Sequence, residues 1–523
     1  MTVAVPRGYF PALLAASILG IWVNSASLPL FDRDEGAFAQ ATLEMLDSGN
    51  YLTTTLNGEP RYEKPMLIYW LQATAVSTLG PTEFAFRLPT LIGATLWMWV
   101  MWNFTLGVAG PRAALVAACC VPLTLMASIV AHAATASVLL NLFLALALFD
   151  IYRYSQQPDK RFLLKVYLWM GLGFHAQGPI ALAIPLLASA LFYLSQQRLR
   201  DWLRAVFYFP GWALIVAVIA PWIVALALQG GTDFFLKFIS LHYASRYTET
   251  MQGHGGSLYY YLLALPLIVL PFTGVLPAVF ARARHWRADP LDAFLLIAFG
   301  GVFVMFSFSA TQLPHYLLYG CSPLFVLLGR HLDRVKRRAT LLWPVTLVVA
   351  LLATLPWWLP LIPVPDARIH ERALIALALQ SFDTTYWLMT TLSLIALIAL
   401  WLLRRRLDAA LVLFGAGLIQ TTLVVLGFAP VLAAVQQTPV REAALRAREL
   451  ALPCVSATVD WPSFSVYRGG VTPVRDPQPG ELIFLLVKQE QELRQRISDG
   501  WVEEYRKGGV LLLRRLPAHA APA

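Results

Sequence analysis

Apolar runs of close to twenty residues recur from one end of this chain to the other, separated by short polar turns, and few architectures accommodate that pattern. A helix needs about 20 residues to cross the hydrocarbon core of a bilayer. Inside lipid each backbone polar group must bond within its own element, so the runs read as helices. About 13 can be drawn: residues 8 to 30, 87 to 107, 112 to 131, 134 to 152, 162 to 177, 178 to 196, 206 to 228, 258 to 280, 291 to 308, 315 to 331, 339 to 362, 385 to 403 and 409 to 435. Of 523 residues, 58% are hydrophobic and 13% charged, more apolar sequence than a soluble core uses. The expected class is a polytopic α-helical membrane protein. The run 8 to 30 shows no convincing cleavage site and reads as an uncleaved first span.

A formal charge of +10 could suggest a nucleic-acid partner, but the basic residues gather in alternate turns. These are Arg153 with Lys160, Arg161 and Lys165; Arg198, Arg200 and Arg204; Arg282, Arg284 and Arg287; 330 to 338; and Arg404 to Arg406. That is the positive-inside pattern, which puts those turns in the cytoplasm and argues against nucleic acid. The acidic or neutral connections, 31 to 86, 229 to 257 and 363 to 384, then face the periplasm of a bacterial inner membrane. An odd number of spans places 436 to 523 on the same side. This tail reads as a small α/β domain: a helix at 441 to 450, strands at 455 to 459 and 482 to 487, a helix at 490 to 497 and a hairpin about Gly508-Gly509. Cys119, Cys120 and Cys321 lie in apolar runs and Cys454 in the tail, giving neither a disulfide framework nor zinc spacing.

The stretch 31 to 86 is the longest polar interruption in the N-terminal half and carries the chemistry. Asp32, Asp34 and Glu35 follow the first apolar run directly, where a helix meets water. Two short helices are predicted. One covers 37 to 47, with Asp34 or Glu35 before its first turn and Gly49 as its stop; the other has Pro65 at its first position and continues apolar from Met66 to Leu79. Carboxylates suit a helix N-terminus, whereas Lys64 does not, unless an anion such as phosphate is held there by the ammonium and the free backbone N–H groups.

DEGAFAQATLEMLDSGNYLTTTLNGEPRYEKP, a 229 to 257 loop with HY, R and H, and LPHYLL at 313 to 318 resemble the bacterial lipid A aminoarabinose transferases. These are relatives of the protein O-mannosyltransferases, with the GT-C glycosyltransferase fold. The resemblance implies transfer of a hexose or pentose, with inversion, from a polyprenyl-phosphate donor to a lipid or other cell-envelope acceptor. It also implies 13 spans and a C-terminal periplasmic domain. Asp34 matches the family's catalytic aspartate and Tyr316 a tyrosine near the donor phosphate, while Lys64 supplies a cation for the departing phosphate. Arg246 suits the same phosphate, since guanidinium matches its oxygens. Glu35, Arg61, Tyr62, His242, His254 and His315 are candidates for substrate contact. No cofactor is required by this reading; His242 and His254 could hold an accessory metal, but no carboxylate stands at ligand spacing and none is assigned.

Each residue has a plainer reading: Asp34 an N-cap, Lys64 a snorkelling lysine, Tyr316 an interfacial anchor, Arg61 and Tyr62 solvated loop residues, Glu83 and Arg87 a local pair one helical turn apart. Three positions depart from the family. Ser137 stands for the usual second acid, and Gln177 and Gln312 for lysines. These departures keep open a non-catalytic binder of polyprenyl phosphate. A lipid or solute transporter is disfavoured because the polar residues gather at one face rather than at mid-membrane.

Overall fold

The computed structural model describes residues 5–230, 234, 237–238, 255–283, 286–366, 368–459, 461–498 and 500–516. Among them, seven helices are long and apolar enough to cross a bilayer. The count is eight if Tyr260–Ile268 and Phe272–Arg282, bent by 112° across a short break, form one crossing. All the expected runs carry helix, but several fall short of a full apolar span. The first is helical only over Tyr9–Trp22, and Ile180–Ser195 is likewise short. Lys160–Gln177 opens with Lys160, Arg161 and Lys165. The runs 87 to 107 and 112 to 131 meet inside one element, Glu83–Leu123, which breaks at Gly110 (φ 82°, ψ 174°) immediately before Pro111. Glycine tolerates that backbone conformation and proline cannot continue the ladder, so the expected turn lies there.

The stretch 31 to 86 folds as helix, hairpin, helix. The first helix is Asp34–Ser48, longer than predicted at its N-terminal end, and Gly49 closes it. The second begins at Leu67 rather than at Pro65, with Met66 as its N-cap, and ends at Leu79. Between them is a hairpin absent from the sequence reading: β1 (Thr54–Leu56) pairs antiparallel with β2 (Glu59–Arg61) around Asn57-Gly58. Both turn residues have positive φ, the geometry that an Asn-Gly pair favours. Glu44 fixes the turn by accepting hydrogen bonds from the Asn57 and Gly58 amides at 2.7 and 3.2 Å and from the Thr55 hydroxyl at 2.5 Å. The two helices pack through Phe38 and Tyr69, whose rings stack at 5.4 Å.

This unit is anchored to the bundle by a buried ion pair. Arg87 donates from Nε and Nη2 to the two oxygens of Glu35, both at 2.8 Å, and its remaining donors reach the carbonyls of Ser25, Leu28 and Pro29. Glu35 also accepts from the Phe31 and Ala134 amides. The expected Glu83–Arg87 pair is thereby corrected: Arg87 points inward, where a buried carboxylate repays its desolvation. Glu83 instead meets Arg441 at 3.7 Å and the Tyr467 hydroxyl at 3.3 Å.

The tail carries β3 (Cys454–Ser456), β4 (Leu482–Leu486), β5 (Trp501–Lys507) and β6 (Val510–Arg515) in the sheet order β3-β4-β6-β5. β3 runs parallel to β4, and β6 is antiparallel to both β4 and β5. Leu482, Phe484 and Leu486 pack against the helix Thr438–Leu450 through Val440, Ala443 and Ala447. Ile483 and Leu485 alternate onto the other face, against Leu493 of the helix Val487–Arg496. A helix that periodicity did not reveal, Ser463–Arg468, lies against the helix Asp34–Ser48, so the tail and the 31 to 86 stretch share one side of the bundle.

Removing one member of a fully buried pair strands the other's charge. Arg87→Met is therefore expected to cost about 3 to 5 kcal/mol, and Glu35→Leu with Arg87→Met together to recover part of it. Thermal unfolding of the detergent-solubilised protein measures both.

Candidate functional site

Three acids occupy positions 32 to 35, and the fold gives each a different environment. Glu35 is buried with both oxygens committed to Arg87, Phe31 and Ala134. That corrects its candidacy for substrate contact: it is an anchor. Asp32 accepts from the Ser463 amide at 3.0 Å and from the Ser463 hydroxyl. In the amide orientation that satisfies both partners, Gln437 donates to Asp32 Oδ2 at 3.2 Å and accepts from the Asp32 amide at 3.1 Å. Burial, with Glu35 and Asp34 nearby, pushes Asp32 up from its ordinary 3.8 to about 7, against the opposing hydrogen bonds from Ser463. Asp34 alone of the three is exposed. It is the first residue of its helix, Arg33 rather than Asp34 takes the cap position, and no side-chain cap covers the turn. An exposed carboxylate on the positive end of a helix is available to a proton donor from outside.

Arg61, at the end of β2, is buried rather than solvated. Its guanidinium lies 5.2 Å from the Phe38 ring centre and donates to Glu63 at 3.0 Å. Burial opposes its charge, but Tyr69, Glu63 and Asp34 outweigh that and hold its pKa up. Arg61 Nε and Nη1 meet no acceptor among the described residues. Lys64 follows three residues on, partly buried and engaged, just ahead of the uncapped start of Leu67–Leu79. Although that helix begins two residues later than predicted, its first N–H groups still lie beside the Lys64 segment. Tyr62 packs at a tilt against Phe234, ring centres 5.2 Å apart, and lies under the Lys237 ammonium, also at 5.2 Å. Lys237 is a cation that the sequence reading passed over because nothing in its spacing ties it to residue 62.

His315 and Tyr316 lie in the 3₁₀ turn Pro314–Gly320, ahead of the helix Cys321–His331 rather than within it. Tyr316 is buried, its ring 5.2 Å from Phe306 and 6.1 Å from Tyr319. Tyr319 donates to Gln177 Oε1 at 2.9 Å, and Gln177 donates to Ser137 Oγ at 3.1 Å. Two of the three positions that depart from the pattern of the resembled family, Ser137 and Gln177, are thus hydrogen-bonded to each other. Gln312 donates to the Ser307 carbonyl at 3.0 Å. His242, Arg246 and His254 lie outside the described residues. Among the described residues, no three His, Cys, Asp or Glu side chains come together as metal ligands.

Comparison with known proteins bears on this geometry. Residues 63–224 match the family model described as dolichyl-phosphate-mannose-protein mannosyltransferase. The chain is similar to the undecaprenyl phosphate-alpha-4-amino-4-deoxy-L-arabinose arabinosyl transferase of Edwardsiella ictaluri, 28% identical over 58% of this chain and 56% of that protein. Its counterpart in Serratia proteamaculans is 29% identical over 58% of this chain and 55% of that protein. The match therefore spans a little over half the length of these relatives. The crystal structure of ArnT from Cupriavidus metallidurans bound to undecaprenyl phosphate superposes with a TM-score of 0.79 at 19% identity, covering 99% of this chain and 100% of that one. An Archaeoglobus fulgidus oligosaccharyltransferase superposes at 0.52 and 12% identity over 98% of this chain and 75% of that one. The fold is accordingly the polytopic membrane fold of the GT-C type.

The Asp32 environment gives a pH signature. An acid whose folded pKa is raised from 3.8 to about 7 contributes most to stability below the lower value and loses that contribution as pH rises through the upper one. The thermal unfolding midpoint of the wild type is expected to drop as pH rises from about 4 to about 7. Asp32→Asn removes that component of the slope, read by thermal scans of both proteins across the range.

Proposed function

We propose that this chain is a membrane glycosyltransferase of the aminoarabinose-transferase-like group, moving a sugar from a polyprenyl-phosphate donor to a lipid or other cell-envelope acceptor. The observation that carries the reading is the sorting of the three acids. Asp32 and Glu35 are consumed by internal bonds, and the exposed carboxylate left is Asp34, near enough to Arg61 for their charges to interact. The full-length likeness to a structure bound to undecaprenyl phosphate supports the choice of donor.

In this reading the Asp34 carboxylate orients the acceptor oxygen and takes its proton where it has one. The oxygen attacks the anomeric carbon from the face opposite the phosphate, with inversion. The bond from that carbon to the phosphate oxygen breaks, and the electron pair leaves with the polyprenyl phosphate. Lys64, Arg246 and Tyr316 stabilise the charge that gathers there, while Tyr62 and His315 line the donor site. The prenyl tail lies between helices beside Leu67–Leu79, whose Leu71 and Leu79 are exposed. The chain crosses the inner membrane 13 times by the sequence reading, with 31 to 86 and 436 to 523 both periplasmic.

The neutral Ser137–Gln177 pair favours a second reading, a protein that binds polyprenyl phosphate without turning it over. Mass spectrometry of lipid and glycan extracts separates the two. Cells lacking the gene should lose a sugar modification that the intact gene restores. Asp34→Ala and Lys64→Ala should lower it by at least about 100-fold at unchanged protein level. Full modification in both variants would end the mechanism, and donor binding with no modification in any strain would favour the binder.

A further inference from the structure

Asp34 sits between two residues fastened to different parts of the protein. One position after it, Glu35 is tied to the helix bundle through Arg87 and the Ala134 amide. Two positions before it, Asp32 is tied to the tail. Every partner found for its carboxylate comes from residues 437 and 463: the Ser463 amide at 3.0 Å, the Ser463 hydroxyl and the Gln437 amide. The contact is close-packed. A Cβ on Gly36 would lie 2.1 Å from Asp32 Oδ1 and 2.6 Å from the Ser463 amide nitrogen, so only glycine fits where the two elements meet. Further bonds run alongside. The Leu30 amide donates to the Tyr467 hydroxyl at 2.7 Å, the Ser465 hydroxyl meets Asn57 Oδ1 at 2.7 Å, and Arg441 lies over the Tyr467 ring at 5.5 Å while reaching Glu83.

We infer that the C-terminal segment is a working part of the site: Ser463, acting through Asp32, is a positioning residue that sets where the Asp34 carboxylate stands relative to the bundle. With the chain pinned on both sides of residue 34, shifting the tail turns the first helical turn about the Glu35 anchor and carries Asp34 with it. Misplacement by about 1 Å is enough to cost about 100-fold in a reaction that depends on alignment. The inference rests on the reading of Asp34 given above.

The test uses the full-length protein, purified in detergent for exchange and expressed in the deletion strain for turnover. Ser463→Ala removes the hydroxyl and keeps the amide donor, and Ser463→Thr keeps both. Expected for Ser463→Ala is faster amide hydrogen exchange over residues 32 to 37, unchanged exchange over Leu482–Leu486, and about a 10-fold loss of modified product per folded protein. Ser463→Thr should restore both. Slower turnover in Ser463→Ala with unchanged exchange at 32 to 37, or faster exchange with undiminished turnover, overturns the inference. Loss of protection across the whole sheet in both variants also overturns it, since Ser463 would then serve only folding. Undiminished turnover in Asp34→Ala overturns the functional reading instead, and is distinguishable because Ser463 is intact in that variant.

Discussion

The Glu35–Arg87 pair is the constraint on which the rest of the site depends. Burying either charge alone costs several kcal/mol, and the pair is tolerable because nearly every donor and acceptor on it is used. Arg87 reaches a carboxylate and three carbonyls, and Glu35 adds two amides. The carbonyls belong to the irregular segment between Trp22 and Asp34, which has no secondary structure of its own to satisfy them. A single guanidinium thus closes the first connection, orients the helix that follows, and presents Asp34 outward because Glu35 must point inward.

A second layer of polar contacts joins the helix Ser463–Arg468 of the tail to the chain just before this same helix and to the hairpin after it. It is assembled from Asp32 with Ser463, Asn57 with Ser465, and the Leu30 amide with the Tyr467 hydroxyl. Apolar packing of Leu30, Ala39 and Phe86 against Val466 and Tyr467 closes it from behind. The acid in this layer, Asp32, is held above the ordinary carboxylate range by its burial in the seam between tail and bundle.

The neutral chain Tyr319, Gln177, Ser137 describes how two departures from a family pattern fit together. A lysine without its acid, or an acid without its lysine, would leave a buried charge; Ser137 and Gln177 leave none, and hydrogen-bond to each other.

The sequence by itself determined the class of this protein. Hydropathy in runs near the bilayer thickness leaves helices as the solution, and Gly110-Pro111 marks a break because backbone geometry there is local. The strands expected at 455 to 459 and 482 to 487 form at Cys454–Ser456 and Leu482–Leu486, the hairpin about Gly508-Gly509 follows from local pattern, and the Asn57-Gly58 hairpin is equally legible in its dipeptide. The tertiary structure decided which charges meet. Glu83 and Arg87 are one turn apart on a helix, and local spacing favours their pairing, yet Arg87 bonds to a residue 52 positions away. Ser463 lies 431 positions from Asp32. No periodicity carries such information, because the partner of a buried charge is chosen by which groups the packed helices bring into the same dry space. That choice, made across the whole chain, separates Asp34 from its two acidic neighbours.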